Sequence, residues 1–222
     1  SSAASDVYKR QKYINANSSA ISGVITDGGK FKWDTEKYPG MKDFKKFGPF
    51  AYTAKLRNGL FRNTGACLSP QNAFYNSIGM ETLGLRMERV CDNAKTLAQF
   101  FATEYSDIEV NYPGLAGSKW HNIATEQFGD KFGGIITIRT GNKKRAFGII
   151  DALKLPLILS NIGDTKTLVI HPESTLNVHS TQEEKETAGV FDDLIRISVG
   201  IEDIDDLIDD FKQAIESVKD VY

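Results

Sequence analysis

Cysteine is scarce in this sequence, and what there is carries no pattern. Cys67 and Cys91 stand far apart, without a CxxC pair or a neighbouring histidine, so neither a disulfide framework nor a zinc site is indicated. A reducing cytoplasm is the compartment that fits. His121, His171 and His179 are separated by irregular gaps and are expected as structural or exposed residues, with no metal among them. No apolar run approaches the roughly 20 residues that a helix needs to cross a bilayer. Charge of one sign is lacking too: a net charge of −2 and a pI near 6.0 give no electrostatic reason to expect nucleic acid or an anionic membrane surface as partner. The GxSxG, GxxxxGK, HExxH and EF-hand patterns are absent, so spacing alone names no enzyme.

What remains is an ordinary globular balance, 41% hydrophobic and 25% charged, in a length that suits one large domain or two modest ones. The longest continuous signal covers residues 69–104. Ser69 can cap a helix, and Pro70 suits its first turn because its fixed φ is already helical and its missing N–H would have had no partner. Met80, Leu83, Met87, Val90, Ala94, Leu97 and Phe101 then alternate spacings of three and four, with Glu81, Arg86, Asp92 and Lys95 off that stripe. The pattern predicts one core helix of roughly 50 Å. Gly79 and Gly84 each cost about 1 kcal/mol relative to alanine inside a helix, so either the stripe buries well or the backbone passes close to something there.

Residues 1–11, SSAASDVYKRQ, have neither a signal-peptide layout nor a period that would seat them in a core. They resemble adapter read-through, an expectation that would make the chain the tail of a longer gene. A β-like run at residues 21–25, the turn Asp27-Gly28-Gly29 and residues 31–33 predict a hairpin. Residues 39–48 read as a loop with short helical pieces, and residues 50–60 as helix ending near Gly65. After the long helix the texture alternates. Strands are predicted at 108–112, 134–140, 156–160, 166–171 and 194–199, and helices at 144–153, 182–188 and over Ile204, Leu207, Ile208, Phe211 and Ile215. The acidic run 202–210 reads as a solvated face whose first aspartates suit a helix N-terminus. The sum is a mixed α/β domain over residues 65–222, preceded at 12–64 by the end of another domain.

Four stretches in order, SPQNAFYNSIGMETLGLRMERVCDNA, VNYPGL, SNIGDTKTLVIHPEST and LIRISVGIEDIDDLIDD, resemble the C-terminal half of the Cys/Met-metabolism family of pyridoxal-phosphate enzymes. The resemblance runs over residues 12–218. The VNYPGL and NIGDTKTLVIHPEST forms, with GVITDGGKFKW before them, lean toward the O-acetylhomoserine sulfhydrylase branch. Cystathionine γ-synthase and the cystathionine and methionine γ-lyases are the alternatives within the family, and an inactive folded module is the alternative outside it.

The resemblance implies the type I, aspartate aminotransferase-like fold, pyridoxal 5'-phosphate as cofactor, a small amino-acid substrate and a homotetramer. It sets the cofactor lysine at Lys12, in KYINANSSAISGVI. A lysine amine can hold the cofactor and, once displaced by substrate, move the α-proton, provided its surroundings lower its pKa. The resemblance sets the arginine that binds the substrate carboxylate at Arg196, a task that suits its planar fork better than a lysine. Asn161 falls where relatives have a serine or asparagine near both. Two departures stand out. Lys9 and Gln11 occupy places where the family has Ser or Thr for the cofactor phosphate, and Leu176 and Asn177 follow HPEST where many relatives have a histidine. The ring-stacking aromatic, the pyridinium-pairing aspartate and most phosphate ligands of the family belong to its first half.

Overall fold

Residues 5–9, 12–15 and 19–218 are described in the computed structural model, the first of these as backbone alone. Strand β1 (Ser5–Lys9), inside the segment expected to be foreign, pairs antiparallel with β2 (Gly23–Asp27). The hairpin expected between residues 21–25 and 31–33 does not form. Asp27 does make the turn, its Oδ1 accepting from the Gly29 amide at 3.0 Å. Beyond it Phe31 and Trp33 join a ring cluster instead of a ladder, Trp33 stacking on Tyr52 at 5.5 Å and meeting Tyr38 edge-on. Packing area on aromatic faces outweighs local hairpin preference here.

A 3-10 stretch, Pro39–Phe50, leads through α1 (Ala51–Lys55), a π-helical turn (Leu56–Phe61) and α2 (Arg62–Thr64) to Gly65, whose φ of 68° ends the run. Ser69 then caps α3 (Pro70–Glu81) by accepting from the Asn72 amide at 3.2 Å. The single long helix expected over residues 69–104 is two helices. Thr82, at φ −104° and ψ 3°, separates α3 from α4 (Leu83–Glu104). Glycines at 79 and 84 weaken the helix on both sides of a β-branched residue, and an arginine side chain binds a carbonyl of the last turn of α3. The break carries α3 off the stripe: Met80 is exposed, whereas Val90, Ala94, Leu97 and Phe101 of α4 are buried.

The remainder supplies β3 (Glu109–Asn111), α5 (His121–Phe128), β4 (Ile135–Arg139), α6 (Lys143–Ala152), β5 (Leu157–Ile158), β6 (Leu168–Ile170), α7 (Gln182–Thr187), β7 (Leu194–Ser198) and α8 (Ile204–Ser217). Helix α5 has no counterpart in the sequence reading, because its side chains bury only Ala124 and so leave no stripe. The five strands form one sheet in the order β3-β4-β7-β6-β5, antiparallel except for β5 with β6. Leu97 and Phe101 of α4, Ile149 of α6 and Leu207, Phe211 and Ile215 of α8 bury one face against Ile136, Ile138, Val169, Ile195 and Ile197. Each fully buried Leu, Ile or Phe contributes about 1.5–3 kcal/mol.

Two members of the acidic run are not solvated. Asp210 is buried and accepts from the Lys154 and Leu155 amides at 2.9 and 2.8 Å, closing the turn after α6. Glu202 accepts from the Thr167 amide at 2.5 Å and its hydroxyl at 2.8 Å. Free backbone donors at those turns claim the nearest carboxylates.

Candidate active site

The site lies on the other face of the sheet. Alternation along β7, the central strand, sends Ile195 and Ile197 into the helical core and leaves Arg196 and Ser198 on the opposite side. Arg196 sits in register between Thr137 of β4 and Ile170 of β6. Strands β5 and β6 are parallel neighbours, which no tight turn can join. Residues 159–167 therefore swing across toward β7. The Gly163 amide donates to Ser198 Oγ at 3.0 Å, and Arg196 Nη2 donates to the Asn161 carbonyl at 3.1 Å.

Arg196 Nε is buried and meets no hydrogen-bond acceptor among the described residues. Burial also lowers the guanidinium pKa from its ordinary value. A partly desolvated planar fork with an unmet donor fits a carboxylate, which takes two parallel N–H groups at once.

Lys12 Nζ donates to Asn161 Oδ1. Asn161 thus touches both charged residues, its amide on Lys12 and its carbonyl on Arg196. The three residues named from sequence, separated by 149 and 35 positions in the chain, are linked in one cluster. Tyr13 wedges beside it. A Cβ on Gly163, whose φ is +75°, would stand 2.9 Å from the Tyr13 nitrogen and 3.0 Å from its Cγ, so only glycine lets the two backbones approach. The Tyr13 hydroxyl lies by Gly134, and burial, then the nearby Cys91, raises its pKa.

Arg86 is a neighbour of this cluster that the sequence reading did not single out. Expected off the apolar stripe, it is nonetheless buried. Its Nη1 donates to the Tyr13 carbonyl at 2.7 Å, Nη2 to the Gly79 carbonyl at 2.7 Å and the Ile14 carbonyl at 3.4 Å, and Nε to Thr82 Oγ1 at 3.1 Å. Burial lowers its pKa as well. The signal was present as spacing: Gly79, Thr82 and Arg86, three and four apart, share one side of a helix.

The histidines lie elsewhere. His121 Nδ1 is 2.9 Å from the Pro113 carbonyl, and His171 is held between Ser174 Oγ and the Asp192 carbonyl. Among the described residues no group of three or more His, Cys, Asp or Glu is placed to hold a metal. Nor does cavity size find the site: an apolar cavity of about 1180 Å³ near Ile25, Phe50, Leu56 and Phe61 contains none of Lys12, Asn161 or Arg196.

The model of the Cys/Met metabolism PLP-dependent enzyme family matches residues 6–216. The chain belongs to this family. It is 38% identical to the O-acetyl-L-homoserine sulfhydrylase of Corynebacterium glutamicum, covering 93% of this chain and 51% of that protein. With the homocysteine synthase of Schizosaccharomyces pombe it shares 38% identity over 92% and 51% of the two. The chain thus spans about half the length of the curated relatives it matches. Among solved structures it superposes with a TM-score of 0.86 and 32% identity on a putative O-acetylhomoserine (thiol)-lyase from Campylobacter jejuni, over 96% of this chain and 53% of that one. That protein carries a pyridoxyl-lysine phosphate. The O-acetylhomoserine sulfhydrylase of Wolinella succinogenes follows at a TM-score of 0.72 and 36% identity, over 88% and 52%. The α/β fold expected from the resemblance is the fold that these structures have.

The cluster fits the family's cofactor through its lysine, whose amine is the group that would take an aldehyde carbon. The orphaned Arg196 Nε is a separate feature that suits an anion. Gln11 and the Lys9 side chain, at the family's phosphate positions, lie outside the described residues.

Proposed function

We propose that this chain carries the lysine-bearing part of a pyridoxal-phosphate-dependent O-acetylhomoserine sulfhydrylase, which exchanges the acetate of O-acetylhomoserine for sulfide to give homocysteine. The observation that supports the reading is the line Lys12, Asn161, Arg196 on one face of the sheet. Pyridoxal phosphate, when bound, supplies an electron sink for charge developing at the substrate Cα. Lys12 would hold it covalently and, once displaced by substrate, would take a proton from Cα and then one from Cβ as acetate leaves Cγ, and would return both after sulfide has added at Cγ. Asn161 Oδ1 orients the Lys12 amine between these tasks. Arg196 fixes the substrate carboxylate, and with it the direction in which the Cα–H bond points.

The reading extends to a homotetramer, to a cytoplasmic setting, and to a division into residues 12–64 with the cofactor domain and residues 65–222 as a second unit. Cofactor contacts that the family draws from its first half are not among these residues, so the chain alone is expected to be inactive. The test is a chimera in which the matched half of the S. pombe homocysteine synthase is replaced by this chain. It should form homocysteine from O-acetylhomoserine and sulfide, and Lys12→Ala should abolish both turnover and the visible absorption of lysine-bound cofactor. Cleavage of cystathionine or methionine in place of that reaction would move the chain to another branch. Undiminished absorption in Lys12→Ala would refute the assignment of Lys12.

A further inference from the structure

We propose that Arg86 is a positioning residue for Lys12: its guanidinium anchors the main chain just after the lysine to the break between α3 and α4, and so sets where the amine can reach. The inference rests on the reading of Lys12 as the cofactor lysine, which the chimera judges without touching Arg86.

Three observations carry it. The first is the contact set. Among the described residues, this guanidinium bonds either a carbonyl of residues 13 and 14 or a group at the helix break, namely the Gly79 carbonyl and the Thr82 hydroxyl. Among the described residues no carboxylate pairs with it. The second is its place. Arg86 lies in the first turn of α4, where the helix dipole disfavours a cation, so the stability of α4 does not explain it. The same charge sits at the C-terminal end of α3, where the Gly79 carbonyl accepts from it and the dipole favours a cation. The third is Gly79 itself. A Cβ there would stand 2.5 Å from Asn15 Cα and overlap the Ile14 carbonyl oxygen, so the segment is pressed against α3 where Arg86 also holds the Ile14 carbonyl.

Lysine has a long stem with many rotamers, and its four carbons cannot fix the amine unless the backbone beneath them is fixed. A misplacement of about 1 Å at a reacting group can cost about a hundredfold in rate. Arg86 therefore acts through Lys12 and does not itself touch the reacting atoms.

The experiment uses this chain as it stands. Acetic anhydride at graded pH, read by peptide mass spectrometry, reports the amine reactivity of Lys12 against exposed Lys154 in the same sample. Amide hydrogen exchange reports residues 12–15. Arg86→Met should speed exchange at residues 12–15 by roughly tenfold, the loss of one charge-assisted hydrogen bond's worth of local stability. It should also change the acetylation rate of Lys12 relative to that of Lys154, with the amides of Leu97 and Ala98 unchanged. Arg86→Lys, which keeps charge and loses the fork, should recover part of both effects.

Gly79→Ala is the second variant. It displaces the same segment through Ile14 and Asn15 with the Arg86 side chain intact, and should produce the same local signature even if Arg86→Met fails to fold. A merely structural arginine would loosen α4 and the segment together and leave the Lys12 to Lys154 ratio where it was. That result, or a change under about twofold at residues 12–15 in both variants, overturns the inference.

Discussion

Replacing Arg196 by lysine keeps the charge and removes the geometry, which makes it the sharpest perturbation of the site. In the structure the guanidinium divides its donors, with Nη2 on the Asn161 carbonyl at 3.1 Å and Nε buried and unmet. An ammonium at the end of a flexible stem can serve either the Asn161 carbonyl or an incoming carboxylate, and cannot offer the carboxylate two parallel N–H groups. Burial that already lowers the arginine's pKa would lower a lysine's further into the working range, since the unperturbed lysine starts lower. Loss of one partner in a desolvated charged pair costs about 2–5 kcal/mol, which is roughly 30-fold to several thousand-fold in kcat/KM. Steady-state kinetics of the chimera with O-acetylhomoserine and sulfide, beside its cofactor absorption, should give a large fall in kcat/KM with absorption nearly intact. A fall of less than about threefold would mean that another group holds the carboxylate, and that the face of β7 carrying Arg196 does not meet the substrate.

Two predictions concern stability. Phe211 is fully buried and packs edge-on against Phe101 at 5.2 Å, so Phe211→Ala should destabilise the fold by about 3–5 kcal/mol in denaturant unfolding; a loss under about 1 kcal/mol would mean that the α4–α8 contact closes over the gap. Glu173 is held well below its ordinary 4.5, to about 2, by hydrogen bonds from Lys143 and then Lys185. The folded state therefore prefers the ionised carboxylate, and the stabilisation is complete above pH 4.5 and lost as pH falls toward about 2. Thermal midpoints across that window should converge with those of Glu173→Gln, and parallel curves would show that the lysines do not act on it.

The strands and the terminal helix were legible because each satisfies one simple period. Ile195, Ile197 and Val199 alternate with Arg196 and Ser198, and Leu207, Phe211 and Ile215 repeat at helical spacing, so the apolar periods point to residues that the core does bury. The helix break at Thr82 was not read, although Gly79 and Gly84 pointed to a close backbone approach; residues 14 and 15 do press on Gly79, a contact between distant parts of the chain that the helical period does not show. The hairpin reading failed for a related reason: the turn chemistry at Asp27 was right, but the partner strand was decided by what lay nearby in space. At the site, residue identity carried Lys12, Asn161 and Arg196 through the resemblance. Arg86 escaped because an arginine in an amphipathic helix usually faces solvent, and only its burial reveals the carbonyls it holds.

Helix α4 joins the two ends of this arrangement. Its later half, with Ala94, Leu97, Ala98 and Phe101 fully buried, is locked into the core, while Arg86 at its start grips the lysine segment. At 1.5 Å per residue those points are about 22 Å apart on one rigid rod. On the role proposed for Arg86, a change of volume beneath Phe101 that tilts that rod should also shift the lysine segment at its far end. Core substitutions along α4 chosen for heat tolerance should therefore be screened for their effect on Lys12 as well.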